Sequence, residues 1–240
     1  MSKRVSVPLS SLSPPVSVSV VIPVLNEVQR VSACVARARE LGNVEVIVVD
    51  GGSTDRTREL ACGADKVLHP ERGRASQMNA GAAAASSEVL LFLHADCWLE
   101  PAGLDEIRSA LEAHPDVVGG GFRQILDHAG WAYRWLEWGN AARVRWPGWI
   151  YGDQGLFVRR SVFQQLGGFP QLPLMEDLYF SKSLRQAGRL SLLGQHLHVS
   201  TRRWEQTGPI RQTLRNWRFI LSAHLGTPLE QLAKQYRDIR

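Results

Sequence analysis

The sequence predicts an α/β fold built on a doubly wound, mainly parallel sheet, and three observations carry that expectation. Four short apolar or β-branched runs, at residues 16–24, 44–49, 66–68 and 89–93, recur through the first hundred residues. Segments of helical period lie between them, so strand and helix alternate as parallel crossovers require. Polar groups gather just after these strands: Asn26 and Glu27, then Asp50, then His94 and Asp96. Open sheets bind ligands beyond the carboxyl ends of their strands.

Each element follows from its own chemistry. Residues 16–24 (VSVSVVIPV) form the first strand, and residues 27–41 a helix with Val28, Val31, Val35 and Ala38 on one face. The second strand ends in Asp50, followed by Gly51 and Gly52 for a tight turn and by Ser53 to Asp55 as helix N-caps. After the short third strand, Arg72 and Arg74 open an Ala-rich helix. Guanidinium groups beside free backbone amides suit a phosphate there, and a solvated helix end explains them equally well. Residues 89–93 (VLLFL) read as a strand buried on both faces at the centre of the parallel sheet. His94 and Asp96 at its end could hold a divalent cation or merely cap the next helix.

Beyond residue 117 the texture changes. VVGGGFR, residues 117–123, reads as a strand where a ligand or another backbone approaches closely. Residues 131–149 hold five of the eight tryptophans, and Trp131, Trp135 and Trp138 share one helix face. Core packing is the expected role of that stripe, an acceptor platform the other. Trp149, Asp153 and Gln154 lie just before a further strand on the side expected to receive an acceptor. Glu176 and Asp177 begin a helix, while His196 and His198 share one strand face, expected as plain strand residues, the alternative being that one completes a metal site. Ile210, Leu214, Trp217 and Leu221 form an apolar helical stripe flanked by Arg211, Arg215 and Arg218.

Composition narrows the classes. The chain has 44% hydrophobic and 21% charged residues, ordinary for a globular protein, and three cysteines without CxxC spacing. A reducing, cytoplasmic setting fits. No apolar run nears the roughly 20 residues of a membrane span. Of the net charge of +5, all resides in residues 201–240, with eight Lys/Arg against three Asp/Glu. Such a tail suits phosphates: of a nucleotide, a lipid surface or nucleic acid. No nucleic-acid module accompanies it, so nucleic acid is not expected. The GxGxxG and GxxxxGK[ST] fingerprints are absent. The expected organisation is a disordered leader (1–15), a catalytic domain (16–205, dividing near residue 100 into nucleotide-binding and acceptor halves) and a basic helical segment (206–240).

Five motifs in order, VVIPVLNE (20–27), VVDGGSTD (48–55), FLHADC (92–97), GGF (167–169) and MEDLYF (175–180), resemble a family-2 glycosyltransferase of the GT-A fold. With RGRASQMNAGA and GDQGLFVRR, the chain is further similar to a short soluble bacterial branch associated with radical-SAM and arsenosugar genes. The resemblance implies that Pro23, Asn26, Glu27 and Asp50 hold the nucleoside of a nucleotide-sugar, a UDP-sugar in the first instance. It also implies that Arg72, Gln77 and Asn79 contact base or diphosphate, and that Asp96, with His94, binds Mn²⁺ or Mg²⁺. Asp177 would be the general base of an inverting transfer, with Glu176 beside it, and Arg203 and Trp204 match the end of a QxxRW element. Gly51 stands where a second aspartate is usual, and His94 where the first metal carboxylate is usual. Those departures motivate the alternative, a degenerate domain that binds a nucleotide or partner without transfer. A nucleotidylyltransferase would need a GGxGTR-like loop after the first strand, and residues 20–27 have none. The C-terminal stripe is expected to dock on the catalytic domain, the alternative being peripheral contact with the inner membrane face.

Overall fold

Side-chain alternation along the first strand decides the layering. In β1 (Val18–Val24), Val18, Val20, Ile22 and Val24 enter one apolar cluster and Val21 enters another on the opposite face. The same split occurs in β4 (Val89–Phe92), where Val89 and Leu91 face one way, Leu90 and Phe92 the other. A strand buried on both faces must carry helices on both, and it does. The computed structural model describes residues 16–128, 130–201 and 208–237. Within them α1 (Val31–Glu40) and α4 (Pro101–Ala113) cover the first face, α3 (Arg74–Ala84) and α7 (Glu176–Ala187) the second.

The eight strands form one sheet in the order β3-β2-β1-β4-β7-β6-β8-β5. Here β2 is Glu45–Asp50, β3 Lys66–Leu68, β5 Cys97–Leu99, β6 Val117–Leu126, β7 Phe157–Arg159 and β8 Arg189–Val199. The pairs β1·β2, β2·β3, β1·β4 and β6·β8 are parallel, and those made by β7 and β5 antiparallel. The fold is thus the expected mixed α/β architecture, with one correction: β4 does not lie inside the parallel array but ends it, its other neighbour β7 running the opposite way. Strand β5 has no counterpart among the expected elements. In a flat sheet, four strand spacings would separate β4 from β5 by about 19 Å, whereas the five steps from Phe92 to Cys97 reach at most about 17 Å. The sheet therefore curls, and the His94–Asp96 turn joins its central strand β4 to its edge strand β5.

Element bounds shift where side chains capture the backbone. The helix expected from residue 27 begins at Val31, because the amides of Glu27 and Val28 are held by Thr57 Oγ1 (2.8 Å) and Asp55 Oδ2 (3.3 Å). The short α2 (Thr57–Leu60) follows β2, and α6 (Arg160–Gln165) begins directly after β7.

Two helices invert expectation. In α5 (Trp131–Arg145), Trp131, Trp135 and Trp138 are exposed by 73%, 65% and 68% instead of entering the core. The inward face is Tyr133, Glu137, Asn140 and Val144, of which Tyr133 and Val144 are buried. Glu137 accepts the Leu126 amide at 2.7 Å, and Asn140 donates to Gln124. In α8 (Pro209–His224), Leu214, Trp217 and Leu221 are likewise exposed, so the apolar stripe does not dock on the domain, while Gln212 and Phe219 are buried. Two positions along a helix is a rotation of about 200°, so each tryptophan stripe lies nearly opposite the face that packs. Helix α9 (Leu229–Arg237) follows, with Leu232 and Ala233 buried.

The glycine run of β6 is required by backbone approach, as its sequence indicates. A Cβ on Gly120 would lie 1.9 Å from the Ser191 carbonyl oxygen, and one on Gly119 2.5 Å from that of Phe157. Gly120→Ala should therefore cost at least about 2 kcal/mol, lowering Tm by roughly 4–8 °C in a thermal melt, since strand backbones cannot yield as a side chain would. An unchanged Tm would mean that β6 and β8 are not this close.

Candidate functional site

At the carboxyl ends of β1 and β2 two loops are laced together. Asn26 adopts φ 54°, its Oδ1 accepts the Thr54 amide at 2.9 Å and its own amide donates to Ser53 Oγ at 2.8 Å. Asp50, almost wholly buried, accepts the Ser53 amide with both oxygens (3.2 and 3.1 Å) and also the Ser53 hydroxyl, while His69 Nδ1 lies 3.8 Å away. Glu27 pairs with Arg30 at 3.0 Å, and Pro23 lies in register with Val49. Together they form a polar cup at the strand ends.

Gln77 and Asn79, read from the sequence as donor contacts, are occupied with backbone instead. Gln77 Nε2 donates to the carbonyls of Val24 (2.9 Å) and Val49 (2.8 Å), bridging the ends of β1 and β2. This also explains Gly51, since a Cβ there would meet the Gln77 amide at 2.8 Å. Asn79 takes the Phe169 amide (2.9 Å) and donates to the Phe169 carbonyl (2.8 Å). Phe169 in turn packs edge-on to Phe92, centroids 4.9 Å apart, and 4.7 Å from Phe180. Such aromatic pairs add about 0.5–1.5 kcal/mol each beyond burial, and they anchor the loop that leads into α7. Arg72 is exposed on its loop.

A cleft of about 200 Å³ opens beside this cup, lined in part by Arg74, His94, Asp96, Asp153 and Asp177. Its geometry turns on Gly152, in a short 3-10 turn (Gly152–Gln154). The Gly152 amide donates to Asp177 Oδ2 at 2.6 Å, and the Leu178 amide to Asp177 Oδ1 at 2.7 Å. A Cβ on Gly152 would fall 2.3 Å from His94 Nε2, so only glycine lets the β4 turn, the 3-10 turn and the start of α7 meet. Met175, which also lines the cleft, holds φ 66°, a left-handed strain of the kind found at functional loops. Glu176 points elsewhere: it is buried, with Oε1 3.6 Å from Arg74 Nε. The two adjacent carboxylates thus have different surroundings.

Asp153 is a perturbed acid of the cleft. Burial raises its pKa above the carboxylate norm, with Arg143 and Gln124 pulling down and Asp177 and Asp96 adding to the rise. Its Oδ1 is out of solvent with no hydrogen-bond partner among the described residues. Beneath it Arg143 lies 3.8 Å over the Tyr151 ring and 3.3 Å from Gln154 Oε1. Gln154, expected to face an acceptor, is wholly buried and structural: it accepts the Tyr151 amide at 3.0 Å and donates to the Asn140 carbonyl at 3.1 Å. Trp149 lies with its ring 5.2 Å from Lys182 Nζ rather than among the residues lining the cleft.

Other expectations are redistributed. His198 stacks on Trp98 at 3.7 Å and His196 lines a separate cavity, so neither joins the cleft. Arg203 and Trp204, with the leader 1–15, fall outside the described residues. Missed by sequence reading were Arg143 and Tyr151, whose spacing carries no motif, and the inward face of α8, where Gln212, Asn216 and Phe219 line the cleft. The last was hidden because two of those three are amides. Among the described residues no group of three or more His, Cys, Asp or Glu side chains could hold a metal by itself. His94 and Asp96 offer two donor side chains from one turn, and both line the cleft.

Known proteins are similar to this chain in sequence or in fold. A PGL/p-HBAD biosynthesis glycosyltransferase of Mycobacterium bovis (strain BCG / Pasteur 1173P2) is 28% identical over 225 residues, 88% of this chain and 85% of that protein. Glycosyltransferase AglE of Haloferax volcanii is 29% identical over 195 residues, 71% of this chain and 62% of that one. Among solved structures, S. aureus TarS in complex with UDP-GlcNAc superposes with a TM-score of 0.62 at 16% identity, covering 77% of this chain and 58% of TarS residues 1–349. The mannosyltransferase PcManGT of Pyrobaculum calidifontis, in complex with GDP-Man and Mn²⁺, gives 0.59 at 19%, covering 77% and 56%. The chain therefore spans somewhat less than two thirds of these structural neighbours, which share its fold. The model for glycosyl transferase family 2 matches residues 19–167, more than half of the chain, and the chain belongs to that family of glycosyltransferases.

Proposed function

We propose that the chain is an inverting glycosyltransferase that moves a sugar from a nucleoside-diphosphate sugar to an acceptor hydroxyl, with Asp177 as general base. The observation that carries this is the convergence of Arg74, His94, Asp96 and Asp177 on one cleft beside the polar cup of Asn26, Glu27 and Asp50. The structural neighbours bound to UDP-GlcNAc, and to GDP-Man with Mn²⁺, support a nucleotide-sugar donor.

The residues divide the chemistry. The cup of Asn26 and Asp50 would receive the nucleoside, and Arg74 would balance charge on the diphosphate. Two protein donors at His94 and Asp96 fit a divalent cation that completes its shell with diphosphate oxygens and water. When bound, the cation would neutralise the leaving diphosphate as a Lewis acid, and an imidazole ligand favours Mn²⁺ over Mg²⁺. Asp177 accepts two backbone amides, yet a carboxylate has about four lone-pair sites, so one remains to take the acceptor's proton. As that proton leaves, the acceptor oxygen bonds to the anomeric carbon from the face opposite the breaking C–O bond, and the configuration inverts. Glu176, held by Arg74, positions that guanidinium.

Two outcomes test the assignment. Asp177→Asn keeps an acceptor for the Gly152 amide and removes basicity. Turnover of a nucleotide-sugar should fall by at least about two orders of magnitude, with donor KM within a few-fold. Turnover within tenfold of the parent would move the base elsewhere.

Asp153 tests the electrostatics of the cleft. A carboxyl with a raised folded pKa contributes stability below its unfolded pKa and loses it as pH rises through the folded value. Asp153→Asn should therefore melt higher than the parent at neutral pH, and the gain should vanish as pH falls toward the ordinary value of 3.8. A Tm difference independent of pH would contradict the burial of this carboxyl.

A further inference from the structure

Helices α5 and α8 pack against one another, and each turns its most apolar face to solvent. Trp135, Trp138 and Trp146 on and after α5, and Leu214, Trp217 and Leu221 on α8, are all at least 60% exposed. Water-facing tryptophan and leucine stripes of this length mark an interaction surface, not a random scatter of apolar residues. The polar face of α5 is consumed inside, Asn140 by Gln124 and Glu137 by the Leu126 amide, while α8 turns the buried Gln212 and Phe219 to the cleft. The orientation of α5 is therefore fixed by hydrogen bonds to β6 and that of α8 by burial, and their outward apolar faces follow.

The charge around these stripes names the occupant. Residues 208–237 contain five Lys/Arg and one acidic residue, Glu230. Arg211 and Arg218 are exposed beside the α8 stripe. Next to the α5 stripe lies a cavity of about 610 Å³, whose lining includes Arg123, Arg145, Trp138 and Trp146, with one carboxylate, Glu137, that is paired with Arg134 at 2.9 Å. A register shift between Phe122 and Arg123 sets Arg123 opposite His196 on β8, so β6 and β8 both present polar side chains to it. Arg123 and Arg145 are exposed and form no ion pair among the described residues. A second copy of the chain is a poor occupant, since a twofold contact would set these basic faces against each other. No helix is long and apolar enough to cross a membrane among the described residues, so the stripes suit a surface and not a span.

We propose that the α5–α8 face docks on an anionic phospholipid bilayer, with the tryptophan and leucine stripes entering the headgroup boundary and the Arg123–Arg145 cavity receiving a lipid phosphate. Amphipathic helices bind membranes by this combination of buried apolar area and attraction to anionic headgroups. The inference does not rest on the transfer chemistry, because neither stripe nor cavity uses a residue of the cleft.

Flotation of the full chain with phosphatidylglycerol vesicles and with phosphatidylcholine vesicles, at low and high salt, tests it. The protein should float with the anionic vesicles, less so as salt shortens the range of charge attraction. Joint substitution Trp135→Ser, Trp138→Ser and Trp217→Ser should lower the partition coefficient by at least about tenfold, equivalent to about 1.4 kcal/mol. Arg123→Gln with Arg145→Gln should remove the preference for phosphatidylglycerol. Circular dichroism and donor turnover without vesicles should match the parent in both variants, which separates lost docking from lost folding or a failed transfer assignment. Absence of flotation with anionic vesicles would overturn the proposal, as would flotation that both variants retain in full. A stable dimer in solution that dissociates on the tryptophan substitutions would give the face to a second copy and overturn it equally.

Discussion

The hydrogen bond from the Gly152 amide to Asp177 is the join on which the cleft depends. It connects the Gly152–Gln154 turn with the first turn of α7, where His94 also approaches. Each participant is delivered by a different constraint. His94 is placed by the turn that bridges the curled sheet, Gly152 by the buried Gln154, and Asp177 by a loop pinned through Phe169 and Asn79. Loosening any of these would displace a carboxylate by about the 1 Å that transfer chemistry tolerates poorly. The structure therefore commits three amides, the buried Gln77 and Gln154 and the half-buried Asn79, to position. These are residues that sequence reading would assign to ligand contact.

That distinction explains what was legible in the sequence. Strands β1, β2 and β4 and their polar ends were readable because a strand buried on both faces leaves a continuous apolar run, and its end leaves an abrupt polar one. His94 and Asp96 were readable as polar groups at a strand end, and Asp177 as an acid at a helix start. The roles of Gln77 and Gln154 were not, because an amide looks the same whether it binds a ligand or a backbone carbonyl. Strand β5, only three residues long at the sheet edge, has too few side chains to show alternation. Arg143 and Tyr151 meet only through tertiary packing, and no spacing records it.

The helices α5 and α8 failed a different rule. Hydrophobic periodicity correctly located both helices, but it identifies the core face only when the core supplies nothing but apolar partners. Here the inward faces meet Gln124, Gln154 and the cleft, so amides and Glu137 turn in and tryptophans turn out. Helix α8 thereby does two things at once. Gln212, Asn216 and Phe219 close one wall of the cleft while Leu214, Trp217 and Leu221 face away from it. The wall of the cleft and the exposed apolar surface share one rigid element.

The central claim is that the β4 turn, through Asp96, receives the diphosphate of a nucleotide donor together with a divalent cation, facing Asp177. Calorimetric titration of UDP and GDP into the parent chain and into Asp96→Ala, with Mn²⁺ and with EDTA, tests it most directly. The account predicts binding to the parent that depends on Mn²⁺ and is lost in the variant, with the fold unchanged. Equal affinity for each nucleotide across both proteins, with Mn²⁺ and with EDTA alike, would contradict it.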